Sequence, residues 1–395
     1  MVATRTRYCG VWVWALWLTG AALCPPAADA GQAPRRKKII PTPPFAVLLP
    51  AEEGWSITLP SPPAAAATHD DERMFVPLIS SEVIAIDWET GETVWTAQLA
   101  SLTSPVAGGN LVFVAAAEML HALDATTGVE QWSVPTDGPL RVLRLQGSLL
   151  LGAGPGHAQA FEAASGRTRW TQILPPSGTP AGLVATSDAA VVTFADGPVF
   201  SLSLTDGHVR WRQMLPGTLT APALADDYVY VGSSDNNFYS LDAGSGKTRW
   251  TWRTGGDIVG ADADLKAVYY ASMDTVVRAV NRGNGHQRWK RDIGTRPLVP
   301  PLALDGSVLV TGLAPTLSAL APLTGAPLGT YAAPGEVFGS PLVIGSLKPR
   351  RVGLAILLKD GRAIGLRPLG LLFNEGARQP LQALPGKPVP RERLP

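Results

Sequence analysis

Trp95, Trp132, Trp170, Trp211, Trp250 and Trp289 follow one another at gaps of 37, 38, 41, 39 and 39 residues. So even an interval restricts the fold severely, because a period of about 20 to 50 residues marks repeated units that stack or close into a ring. Each tryptophan ends the same phrase: "AIDWETGETVW", "ALDATTGVEQW", "AFEAASGRTRW", "SLSLTDGHVRW", "SLDAGSGKTRW" and "AVNRGNGHQRW". In every copy a glycine stands four residues before the tryptophan. A seventh copy, "ALAPLTGAPLG", keeps Gly325 but places Gly329 in the tryptophan slot, and an eighth, "AIGLRPL" from Ala363, has neither.

The phrase reads as a β-hairpin. Alternating apolar residues lead into a short turn rich in Thr, Ser, Asp and Asn. Gly91, Gly128, Gly166, Gly207, Gly246, Gly285 and Gly325 then take the left-handed position that such a turn needs. Asp87, Asp124 and Asp242 stand where a carboxylate accepts the turn's N–H groups. Ser203, Asn281 and Ala321 replace them in other copies, which weakens the turn without changing the fold.

Ahead of each phrase lies another apolar strand, such as "LVFVAAA" (111–117), "YVYVGSS" (228–234), "AVYYASM" (267–273) or "SVLVTGL" (307–313). A shorter strand near a proline precedes it, as in "SPVAG", "APALA" and "PPLAL". Four short antiparallel strands in about forty residues make one propeller blade. The high glycine and proline content, 41 and 36 residues, fits a chain of many tight turns, and no stretch after residue 30 shows a convincing 3.6-residue apolar period. The fold class is therefore all-β.

Third-strand phrases begin at Ala85, Ala122, Ala160, Ser201, Ser240, Ala279, Ala319 and Ala363, which predicts eight blades. The last lacks a following fourth strand. "GWSITLPSPP" places Trp55 one period, 40 residues, before Trp95, so the N-terminal strand is expected to complete the last blade and close the ring. The propeller is assigned to residues 55–368, with a linker at 31–54 and a Pro-rich tail at 369–395.

Residues 1–30 read as a signal peptide: Arg5 and Arg7, an apolar run from Val11 to Cys24, and Ala28-Asp29-Ala30 at the cleavage position. The apolar run is shorter than the roughly 20 residues of a membrane-spanning helix. Lipoprotein processing at Cys24 is the competing route, but the preceding "AAL" suits it poorly. Cys9 and Cys24 both fall in this segment, so the exported chain has neither disulfide nor thiolate chemistry. Removing the segment leaves 31 basic and 31 acidic residues, a balance that gives no footprint for nucleic acid. "GQAPRRKKIIPTPP" (31–44) and the tail read as mildly basic extensions that leave room for a membrane tether.

The phrase A-x-D-x-x-T-G-x-x-x-W, with "YVGSSDNNFYSLDAGSGKTRW" in the fifth unit, resembles the pyrroloquinoline-quinone-type propeller repeat. That repeat is known from quinoprotein dehydrogenases and from BamB-type outer-membrane assembly proteins. A dehydrogenase of that kind implies adjacent cysteines, a carboxylate-bound calcium or lanthanide, an aspartate base and long pocket-building insertions. No matching constellation is found, so the resemblance implies a monomeric, non-catalytic scaffold with an envelope protein partner and no cofactor. Binding of pyrroloquinoline quinone with calcium, or another small ligand, in the central channel is the alternative.

Trp55, Trp95, Trp132, Trp170, Trp211, Trp250 and Trp289 are read as residues that dock one blade on the next, each able to bury on the order of 200 Å². Glu118, Asp196, Asp235, Asn236, Asn237, Asp274 and Asp360 occupy turns between second and third strands, where a ring of oxygen ligands is conceivable. Ordinary turn chemistry explains them better, and no metal site is assigned. His69, His121, His157, His208 and His286 show no ligand spacing. On the fourth strands Arg169, Arg210, Arg212, Arg249, Arg288 and Lys290 lie opposite the tryptophan side, extended by Arg167 and Lys247, giving an expected basic rim. Such a rim either protects strand edges or receives an acidic partner.

Overall fold

The computed structural model describes residues 48–175, 178–347 and 350–369, all within the compact unit Pro43–Pro395. The segment at 1–30 expected to be a signal peptide, most of the expected linker and the tail beyond Leu369 lie outside the described residues. Among the described residues there are eight four-stranded antiparallel sheets and no helix. Blades 1 to 7 run from 68–98, 106–135, 142–173, 180–214, 223–253, 258–292 and 302–332. Blade 8 joins Val337–Leu347, Arg350–Leu358 and Arg362–Pro368 to the N-terminal strand Ala51–Thr58.

Burial follows strand position. Second and third strands such as Ala189–Phe194 and Pro198–Ser203 are buried at every residue, because neighbouring blades cover both of their faces. The outermost strands Thr93–Gln98, Thr168–Ile173, Val209–Met214 and Gln287–Asp292 repeat one pattern, in which only the tryptophan is fully buried. Alternation along a strand that buries one side alone produces that pattern.

The hairpin phrase folds as its composition requires. The seven turn glycines have φ between 67° and 78°. The Asp87 carboxylate accepts the N–H groups of Glu89 and Thr90 at 2.9 Å, and Asp124 accepts those of Thr126 and Thr127 at 3.0 and 2.9 Å. Each hairpin register shifts by one residue beside its tryptophan, as between Ser240 and Leu241. This bulge aims the indole out of its own sheet.

Each indole lies against the turn glycine of the next blade. A Cβ on Gly246 would stand 2.5 Å from the Trp211 ring, and Trp211 Nε1 donates to the Ala243 carbonyl at 2.9 Å. The same pairing joins Trp95 to Gly128, Trp132 to Gly166, Trp170 to Gly207, Trp250 to Gly285 and Trp289 to Gly325. Each of these indoles donates to the backbone carbonyl of Ala125, Ala163, Leu204, Arg282 or Pro322 respectively.

Ring closure uses the same device. Trp55 lies over Gly91 and donates to the Trp88 carbonyl at 2.8 Å, which docks blade 8 on blade 1. Its strand pairs with Arg362–Pro368 in antiparallel register, Thr58 opposite Arg362 and Ala51 opposite Pro368. The strand thus starts at Ala51, ahead of the boundary at residue 55 that its tryptophan suggests.

The joint between blades 7 and 8 has no indole. A Cβ on Gly329 would meet the Leu49 carbonyl and the Pro50 nitrogen at 2.6–2.7 Å, so incoming main chain fills the slot. Leu48 and Leu49 are 0% and 1% exposed within the core shared by these blades.

Candidate functional site

The fourth strands form the outer rim, where Arg169, Arg210, Arg212, Arg249, Arg288 and Lys290 are all exposed. Three of these six charges, at Arg169, Arg210 and Arg249, are matched by acids. Glu162 receives both Arg167 and Arg169, the latter at 2.8 Å. Arg210 reaches Asp188 at 2.6 Å and Arg249 reaches Asp242 at 2.7 Å. Arg212 lies over the Phe200 ring, 5.4 Å from its centre. Arg288 and Lys290 make no ion pair among the described residues. The expected basic rim is therefore a line of local ion pairs through blades 3 to 5, with free positive charge at blade 6. The acids come from other turns and strands, 22 residues away for Asp188, so reading one strand alone overstates the charge.

Titration follows the contacts. Hydrogen bonds from Arg167, then from Ser165, hold Glu162 at about 2. Arg210, then Thr186, lowers Asp188. Ser245 is the main cause that lowers Asp242, with Arg249 adding to it against the opposing effect of burial.

Three acidic residues on the face that carries the turns between second and third strands, Asp235, Asp274 and Asp360, are used within their own blades. Asp235 accepts from the Tyr239 hydroxyl and, at 2.9 Å, from the Asn237 N–H. Burial acts to raise Asp274, but Arg278 at 2.7 Å and the Ser272 hydroxyl outweigh it and hold the carboxylate at about 2. Asp360 pairs with Arg362 at 2.6 Å. Asn236 adopts a φ of 68°, a turn role. The Glu118 carbonyl accepts the Thr136 N–H at 2.9 Å, and Asp196 stands beside Gly178. Among the described residues no group of three or more His, Cys, Asp or Glu is placed to hold a metal ion.

A polar cleft of about 650 Å³ between blades 1 and 2 was not foreseen from the sequence. Asp70, Asp71, Glu72 and Arg73 line one side, and Gly108, Gly109 and Thr126 the other. Arg73 is 8% exposed; it donates to the Ala125 carbonyl of the next blade at 3.0 Å and faces Asp70 at 3.4 Å. The charged run "DDER" at 70–73 was the available signal, but its position at a blade joint is a property of the ring.

Blade count, sheet order and indole docking define an eight-bladed β-propeller of the pyrroloquinoline-quinone-repeat type. More closely, the chain belongs to the family described as outer membrane protein assembly factor BamB, whose profile matches residues 50–155, 154–271 and 272–348. Over 139 residues it is 30% identical to the serine/threonine-protein kinase AfsK of Streptomyces griseus, covering 32% of this chain and 16% of the kinase. The AfsK of Streptomyces coelicolor is 32% identical over 135 residues, 33% of this chain and 17% of that protein. The chain thus spans about a sixth of the length of these curated relatives.

Among solved structures, BamB from Moraxella catarrhalis superposes with a TM-score of 0.60 at 17% identity, over 80% of this chain and 99% of that one. The quinohemoprotein alcohol dehydrogenase ADHIIG from Pseudomonas putida HK5 superposes at 0.62 and 13% identity, over 84% of this chain and 78% of its own. At these identities the likeness is one of fold.

Proposed function

We propose that this chain is an exported, non-catalytic propeller scaffold that binds a protein partner in the cell envelope. The observation that carries this reading is the contrast between a closed ring, whose second and third strands are spent on blade packing, and turns that hold Ile79, Leu102, Met273 and Leu313 out in solvent. A ring with a sealed core presents surface for recognition, and apolar side chains there are available to a partner. Family membership supports the same role, since the family is described by outer-membrane assembly.

The test is expression of the full chain in a Gram-negative host, fractionation, and crosslinked capture from the envelope. Recovery in the periplasmic or membrane fraction with a discrete protein partner is the expected result. Recovery in the cytosol, or a chain that captures nothing above a propeller control, would sink the proposal. In this reading the scaffold acts as a monomer and needs no cofactor. Titration with pyrroloquinoline quinone and calcium should leave the absorbance of the quinone unchanged. A bound-quinone spectrum together with alcohol oxidation would replace the scaffold by a quinoprotein.

A further inference from the structure

The turn between third and fourth strands places a threonine, serine or aspartate before its glycine in six blades: Thr90, Thr127, Ser165, Asp206, Ser245 and Thr324. Blade 6 has Asn284 there, and Asn284-Gly285 is the one Asn-Gly pair in the sequence. Hydroxyls at this position donate back to the aspartate that opens the turn, as Thr90, Thr127 and Ser245 do to Asp87, Asp124 and Asp242 at 2.7–3.1 Å. In blade 6 that aspartate is replaced by Asn281, and the Asn284 amide oxygen instead accepts the His286 N–H at 3.0 Å.

An Asn-Gly pair carries its own reactivity, because the glycine has no Cβ to obstruct approach to its nitrogen. The glycine nitrogen gives its proton to solvent and forms a bond to the asparagine Cγ, and the side-chain amide leaves as ammonia. Water then opens the cyclic imide. Addition at Cγ breaks the new bond and gives aspartate. Addition at the α-carbonyl breaks the old peptide bond and gives isoaspartate, whose main chain is one carbon longer. Asparagine and water become aspartate or isoaspartate and ammonia, with no redox partner.

The closed ring opposes the first step. Gly285 is buried and its N–H donates to the Asn281 carbonyl at 2.9 Å, so the attacking nitrogen is already committed. Its φ is 68°, and the Trp250 ring covers its α-carbon so closely that a Cβ would stand 2.7 Å away. The same indole donates to the Arg282 carbonyl at 3.0 Å, which ties the turn to blade 5. Asn284 itself is exposed to water. Trp250 is half-buried, whereas Trp95, Trp170, Trp211 and Trp289 are buried at the equivalent joints. The reactive pair thus sits under one of the less covered indoles.

We propose that Asn284 is a self-modifying site: it deamidates when Trp250 lifts from Gly285, and isoaspartate then holds the joint between blades 5 and 6 open. Local opening of one joint supplies the reactive state without unfolding of the ring. The added main-chain carbon displaces Gly285 against an indole that leaves no space for a further carbon, so reaction and opening reinforce each other.

The test follows deamidation at 284 by mass spectrometry in the full chain at mildly alkaline pH, folded and in urea. The unfolded chain should react at the rate of a free peptide and the folded parent far more slowly. Trp250→Phe removes the bond to the Arg282 carbonyl and should speed the folded reaction about 5- to 30-fold. Trp95→Phe removes the equivalent bond to Ala125 at a distant joint and should leave the rate near that of the parent. On prolonged incubation, amide exchange over Thr248–Arg253 and Gln287–Asp292 should rise in the parent as isoaspartate accumulates. It should stay constant in Asn284→Thr, which installs the residue found at Thr127.

Equal rates in the folded and unfolded parent, no acceleration in Trp250→Phe, or equal acceleration in both tryptophan variants would overturn the gating. An equal rise of exchange in the parent and in Asn284→Thr, or no rise in a parent that has formed isoaspartate, would overturn the effect on the joint.

Discussion

The Trp211 indole and the Gly246 α-carbon belong to neighbouring blades, yet a single added methyl on Gly246 would stand 2.5 Å from the ring. Contact between an aromatic face and bare main chain recurs at seven of the eight joints, so the glycine serves two ends. It provides a φ of 70° for its own turn and the flat surface on which the preceding blade's indole rests.

Gly246→Ala should therefore cost more than either effect alone. Left-handed φ with a Cβ costs about 1 kcal/mol, and overpacking a core adds roughly 1–3 kcal/mol. A loss of about 2–4 kcal/mol in urea unfolding is expected. Gly244→Ala, two residues away where a Cβ meets only Asp242 Oδ1 at 3.5 Å, should change little. Equal effects of the two substitutions would refute the double role.

Trp211→Phe keeps most of the aromatic burial but strands the Ala243 carbonyl that the indole satisfies at 2.9 Å. The expected cost is about 1–2 kcal/mol, against about 3–5 kcal/mol for Trp211→Ala. The ranking, read from thermal midpoints, is the check.

Restoring the repeat at its missing position should harm the protein. Gly329→Trp brings an indole into space held by the Leu49 carbonyl and Pro50. Expulsion of Leu48 and Leu49, each worth about 1.5–3 kcal/mol of burial, is expected. Faster amide exchange over 51–58 than in the parent would report it; an unchanged exchange pattern would show that the slot tolerates both.

Asp274 and Arg278 predict a pH window. The carboxylate is held at about 2, below the ordinary 3.8, so the folded state binds this proton less readily than the unfolded chain. Its contribution is complete above about pH 4 and is lost as pH falls through about 2, amounting to about 1–2 kcal/mol. Asp274→Asn should lower stability at pH 7 and flatten the acid limb in that window. The unpaired Arg278 guanidinium, 11% exposed, adds to the neutral-pH loss.

The sequence announced some of these features and hid others, for a physical reason in each case. Gly91 to Gly325 were legible because a left-handed turn is a property of four or five adjacent residues. Trp55 was legible as the missing fourth strand because period alone placed it. The partner of each indole was not, since Trp95 lies over Gly128 of the following unit and the phrase places it beside Gly91. Nor was the pairing of charges on the rim: the positive charge of Arg210 is visible in "HVRWRQM", but Asp188 reaches it from the 1–2 turn of the same blade.

By itself the sequence determined the unit: strand alternation, turn conformation and an indole at fixed spacing are local, and local chemistry suffices to specify them. The tertiary structure decided how the units meet. It set Leu49 into the slot vacated at Gly329 and laid Trp55 over Gly91. Those outcomes depend on closure of the ring, which brings Thr58 opposite Arg362 across the length of the chain, and such distant pairings leave no periodic trace in the residues that make them.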